Sequence, residues 1–141
     1  MFFLLVKEKL LDLGMQLDVD SIICDFELSL MIAIDTSLLC KILACPFHFK
    51  MCLQRKVDKN GFKTCYENDE HFNSYINYCS SLAHLPIQDI EDGIEFVTKK
   101  FQFHDERMNQ FKDQLIQYIW DFWINDCFLP SVWSVFGRSE N

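Results

Sequence analysis

The sequence predicts a mostly α-helical chain that begins with part of an α/β unit. Three observations carry this reading. Two short apolar runs of strand length, Ser21-Ile22-Ile23-Cys24 and Lys41-Ile42-Leu43-Ala44, are confined to the first third of the chain. Asn60-Gly61 is a turn signal, after which the chain changes character. From Asp69 onward, apolar residues recur at helical spacing. The expected organisation is a partial α/β segment over residues 1–60 and an all-helical segment over 61–141, joined as one folding unit.

Residues 1–14 read as the end of an amphipathic helix. Phe3, Leu4, Leu10, Leu11 and Leu13 lie mostly on one side, and Gly14 can stop it. The first strand, residues 21–24, delivers Asp25 at its C-terminal end. Phe26 to Leu39 is apolar over a helical length and is expected to pack on that strand. The second strand, residues 41–44, leads into Cys45, and Phe47 to Val57 resumes as a helix. Residues 69–84 form the next helix, with Phe72, Tyr75, Ile76, Cys79 and Leu82 as its inner stripe. Pro86 starts another, through Ile90, Ile94, Val97 and Phe101. The last long helix spans 105–123 through Met108, Phe111, Leu115, Ile119 and Phe122.

The bulk properties narrow the function. At 141 residues and 50% hydrophobic, the chain can bury a core and is not disordered. A net charge of -8 argues against a broad electrostatic grip on nucleic acid, so any such contact must be local. Seven cysteines, odd in number and without a Cys-x-x-Cys pair, point to a reducing, intracellular compartment. Cys40, Cys52 and Cys79 fall in apolar patterns and read as small hydrophobes. The apolar start, Met1 to Val6, is too short and lacks the flanks of a signal peptide. No run reaches the roughly 20 apolar residues of a membrane span.

Candidate chemistry concentrates between Asp25 and His48. An acid closing one strand and Cys45-Pro46-Phe47-His48 closing a second is a pattern that can build a metal-dependent site. Asp25 is equally suited to cap the helix that follows it, with Glu27 as a first-turn acid. A zinc site needs four ligands, of which Cys45 and His48 would supply half. Cys65, His71, His84 and His104 are the available completions, at spacings that fit no zinc-finger pattern. A buried Cys and a hydrogen-bonded His is the alternative. Lys50, Arg55, Lys56, Lys59 and Lys63 form a basic cluster suited to phosphate contacts or to a solvated helix face. Trp120, Trp123, Trp133, Phe122, Phe128 and Phe136 are dense enough for a base-stacking surface, but their helical spacing favours core.

These residues resemble a family. Ile22-Ile23-Cys24-Asp25-Phe26-Glu27 is similar to the strand and second catalytic acid of Mutator-like (MULE) transposases. Cys45-Pro46-Phe47-His48-Phe49, followed by Lys50 and Arg55-Lys56, resembles that family's Cys-x-x-His-Phe segment and basic helix. Ser81-Leu82-Ala83-His84-Leu85-Pro86, with Ile90 and Phe96, resembles a later stretch of the same domain. So do Tyr118, Trp123-Ile124, Pro130 and Trp133-Ser134, and Arg138-Ser139-Glu140-Asn141 resembles a degraded form of its Arg-Thr-Asn-Asn turn. The resemblance runs in order from about residue 3 to 141 and rests on the agreement of motifs that are individually weak.

The resemblance implies a ribonuclease-H-like fold with a helical insertion, DNA as partner, a nuclear location, and transposition by a triad of acids holding Mg²⁺ or Mn²⁺. Asp25 would be the second acid and a metal ligand, with Cys45 and His48 as flanking family features and Lys50, Arg55 and Lys56 as phosphate contacts. The family's first and third acids have no counterpart in this sequence, and Glu140 falls inside the turn motif. The expectation is therefore a fragment or remnant of such a domain, inactive by itself. Two other readings remain open: a domesticated, non-enzymatic α-rich interaction module, and a small zinc-binding protein.

Overall fold

The computed structural model describes residues 2–126 and 128–138. Cys127 and the Ser139-Glu140-Asn141 end of the turn motif lie outside the described residues. The fold is mostly helical with one small parallel sheet of two strands. It divides into two compact units, Met1–Cys45 and Pro46–Asn141.

The first unit holds α1 (Phe2–Asp12), β1 (Ser21–Cys24), α2 (Leu28–Leu38) and β2 (Lys41–Ala44). A parallel pair cannot be closed by a tight turn, and α2 supplies the crossover. The strands pair Ser21 with Lys41 through Cys24 with Ala44. Two further bonds extend the ladder: Lys41 N–H donates to the Asp20 carbonyl at 3.0 Å and Cys45 N–H to the Cys24 carbonyl at 2.9 Å. Burial here is thin. Among the described residues of this unit only Met31, Ile34 and Ser37 of α2 and Ala44 of β2 are buried, and α1 buries nothing. Parallel sheets are normally covered on both faces, and a lone strand pair is marginal. Ile23 is nevertheless 65% exposed and Leu39 85%. This unit has the smaller share of the core.

The second unit holds α3 (Pro46–Lys59), α4 (Lys63–Asn68), α5 (Glu70–Ser81), α6 (Ile90–Lys100), α7 (Glu106–Tyr118) and α8 (Pro130–Trp133). Short 3-10 turns at Leu82–His84 and Ile87–Asp89 join α5 to α6. Asp69 caps α5 by accepting from the His71 and Phe72 amides, and Asp105 caps α7 through Arg107 and Met108. Two aromatic groups fill the interior. Phe62, Phe72 and Phe111 meet at centroid distances of 4.7–6.0 Å. Phe49 stacks on Trp133 at 4.8 Å and meets Trp123 edge-on at 4.9 Å. Between α5 and α7, the buried Tyr75 hydroxyl donates to the Lys112 carbonyl at 3.0 Å, while the buried Lys112 ammonium donates to the Phe101 carbonyl at 3.3 Å.

Several boundaries differ from the sequence expectation. The division between units falls at Cys45/Pro46, whereas composition places the change at Asn60-Gly61. The reason is the inner face of α3: Phe49, Leu53 and Val57 are fully buried, Phe49 against two tryptophans of the second unit. The helix expected from Phe26 starts at Leu28, because Asp25–Glu27 remain non-helical. The helix expected from Pro86 begins as a 3-10 turn and becomes α-helical at Ile90. The last long helix widens into a π-helical turn at Ile119–Ile124. The short helices α4 and α8 carry too few apolar repeats to show a period.

Candidate functional site

Asp25 follows β1 directly, and Cys45 follows β2. Because the strands are parallel and in register, both residues leave from the same, C-terminal edge of the sheet. This is the edge at which α/β sheets place ligand-binding groups. Asp25 is exposed. The Cys24 thiol beside it is pushed above its ordinary range, first by burial and then by the Asp25 carboxylate.

The capping role open to Asp25 is corrected. The N-cap of α2 is Glu27, at an extended backbone angle, and its side chain makes no capping bond to the helix. Glu27 accepts instead from the Ser29 hydroxyl at 2.9 Å. Glu27 is therefore the cap position rather than a first-turn acid, and Asp25 is left out of helix termination.

Cys45 is half-buried at the end of the first unit, and His48 lies in the first turn of α3 in the second. The His48 Nδ1 atom is buried with no hydrogen-bond partner, and its ring meets Phe47 edge-on at 5.7 Å. The residues available to complete a zinc site are dispersed or engaged. His71 Nε2 lies 3.3 Å from the Gln102 carbonyl and its ring sits between Phe101 and Phe103. His84 and His104 are exposed, and Cys65 is half-buried on α4. Among the described residues no group of three or more His, Cys, Asp or Glu side chains is placed to hold a metal ion. Asp25 can thus offer one carboxylate to a hard cation, whereas a two-ion clamp needs several.

The basic cluster separates on α3. At 3.6 residues per turn, Lys50 lies roughly opposite Arg55, Lys56 and Lys59. Lys50 donates to the Asn77 side-chain oxygen at 3.2 Å, part-buried. The Lys56 ammonium sits 4.1 Å from the centre of the Tyr118 ring, a cation–π contact. Lys63 lies 4.0 Å from Glu67 on the next helix. Arg55 and Lys59 are exposed.

Sequence reasoning did not single out the cleft around Tyr118. About 650 Å³ of open space is lined by Lys56, Gln117, Tyr118, Asp121 and Phe122 beside the π-helical turn. Such turns recur at functional positions. No sequence signal marks it, because an i, i+4 aromatic pair reads equally well as core. Trp123 and Trp133, in contrast, are fully buried and belong to the core.

In comparisons with known proteins, no family model, no curated protein and no solved structure matches the chain. Among the described residues, no helix is long and apolar enough to cross a membrane.

Proposed function

We propose that the first unit is the second-acid segment of a ribonuclease-H-like DNA transposase domain of the Mutator-like kind, with Asp25 as its metal-binding acid. The supporting observation is the placement of Asp25. It leaves the C-terminal end of β1, paired in parallel with β2 through a single helix, and is exposed and unused in capping. In that role Asp25 would be one ligand of a Mg²⁺ or Mn²⁺ ion, a Lewis acid that would stabilise charge on phosphodiester oxygens. A two-ion clamp would need further carboxylates beside Asp25. The exposure of Arg55 and Lys59 is consistent with phosphate contacts, and a DNA substrate would imply a nuclear location.

The chain by itself then lacks a complete ion clamp. In a DNA nicking and strand-transfer assay with Mg²⁺ or Mn²⁺, wild type and Asp25→Ala are expected to give the same background. Cleavage by wild type that Asp25→Ala abolishes would show a complete site and overturn the proposal.

A second reading, an α-rich interaction module, is supported by a separate observation. The second unit contains nearly the whole buried core, including every fully buried aromatic residue.

A further inference from the structure

We propose that the groove between α5 and α6 docks a basic amphipathic helix of a protein partner, one bulky apolar side chain filling the groove and flanking lysines or arginines pairing with Asp89 and Asp92. This goes beyond the proposal for Asp25 and is independent of it.

The groove encloses about 400 Å³. Leu82, Leu85 and Val97 line it, and the Tyr78 and Phe96 rings, 6.3 Å apart, form an exposed aromatic wall. Phe96 is 54% exposed and Tyr78 40%. Large aromatic side chains at the edge of an apolar hollow are the usual anchors of a protein interface. Gly93 sets the packing beneath. A Cβ there would lie 2.5 Å from Leu85 Cδ1 and 3.0 Å from Leu82 Cδ2. A side chain at Gly93 would have to displace the ends of the Leu85 and Leu82 side chains that line the groove.

Charge selects the occupant. Asp89 and Asp92 line the groove at the N-terminal end of α6 and take part in no ion pair among the described residues. At the other end of α6 the Lys100 ammonium lies 5.3 Å from the Tyr78 ring centre and 5.7 Å from that of Phe96. The groove is therefore apolar along its length, negative at one end and positive at the other. Nucleic acid and anionic lipid are repelled by the carboxylates and by the net charge of -8. A helix with an apolar ridge, and with basic residues at the end that meets Asp89 and Asp92, matches both features in the helix-in-groove manner.

The test uses the intact chain and a labelled helical peptide with leucines on one face flanked by lysines, followed by fluorescence anisotropy. A second peptide carries glutamates in place of the lysines. The lysine peptide is expected to bind at least about tenfold more tightly than the glutamate peptide. Phe96→Ala should weaken it about tenfold. Asp89→Asn with Asp92→Asn should weaken it about fivefold and flatten its salt dependence. Both variants alter exposed side chains, and circular dichroism confirms their fold. No binding of the lysine peptide, or binding that neither variant changes, would overturn the proposal. So would concentration-dependent self-association of the chain that Phe96→Ala removes, which would assign the groove to a second copy.

Discussion

Trp133→Ala is expected to destabilise the second unit by about 3–5 kcal/mol, enough to unfold a large share of it near physiological temperature. Trp133 is fully buried, stacked on Phe49 with their planes 9° apart and set edge-on to Trp123. Its indole N–H donates to the Trp123 carbonyl at 2.9 Å and the Phe128 carbonyl at 3.0 Å. The side chain thus ties α8 to the end of the π-helical turn as well as filling the interior. Trp133→Phe separates the two contributions: it keeps most of the apolar volume and leaves the carbonyls without the indole donor, at a cost of about 1–3 kcal/mol. Urea unfolding followed by far-ultraviolet circular dichroism measures both. A Trp133→Ala protein as stable as wild type would mean that the aromatic group is not the core.

The second large effect is a loss of stability at alkaline pH. Cys79 and Tyr75 are buried on the inner face of α5, where ionisation is disfavoured. Burial pushes the Cys79 thiol from 9.0 to about 12. Burial, and then the neighbouring Cys79, also raises Tyr75 above its ordinary 10.0. The sign follows from linkage. Well below pH 9 both groups are neutral in the folded and unfolded chain, and their full contribution is present. Above it, the unfolded chain releases protons that the folded chain keeps, so unfolding becomes more favourable as pH rises toward the folded values. Unfolding free energy measured from pH 8 upward should fall steeply beyond pH 9. Cys79→Ala should reduce that slope by about one proton. An unchanged slope in Cys79→Ala would show that the thiol is not buried as described.

Much of the architecture is written in local chemistry. Both strands occupy the predicted residues, Ser21–Cys24 and Lys41–Ala44. The α5 stripe is equally legible, because Phe72, Tyr75, Ile76 and Cys79 keep one period and all four are buried. Asp69 and Asp105 mark the starts of α5 and α7 by cap chemistry. What was not legible depends on tertiary packing. The membership of α3 in the second unit is decided by Phe49 meeting Trp123 and Trp133, more than 70 residues away in sequence. Lys50 separates from the other basic residues only once a helix places it on the far side, beside Asn77. The α5–α6 groove depends on Leu85 packing against a glycine, which in sequence is an unexplained break in a helix.

The candidate site divides in the same way. The strand-end position of Asp25 follows from the sequence. Its release from capping does not, because an aspartate before an apolar run is an ordinary helix start, and only the backbone shows that α2 begins after Glu27. The departure of Cys45 from the same sheet edge as Asp25 follows from the parallel register, which no local signal specifies.

Mn²⁺ titration of the chain, read as paramagnetic broadening of backbone amide resonances, tests the proposed metal-binding role of Asp25 most directly. The account predicts weak binding, with a dissociation constant of about a millimolar, broadening centred on Cys24, Asp25 and Phe26, and its loss in Asp25→Asn. Broadening spread evenly over the exposed carboxylates, with none preferred at Asp25, would contradict it. Tight, stoichiometric Mn²⁺ at this edge would contradict it as well, by showing that the chain holds a complete site.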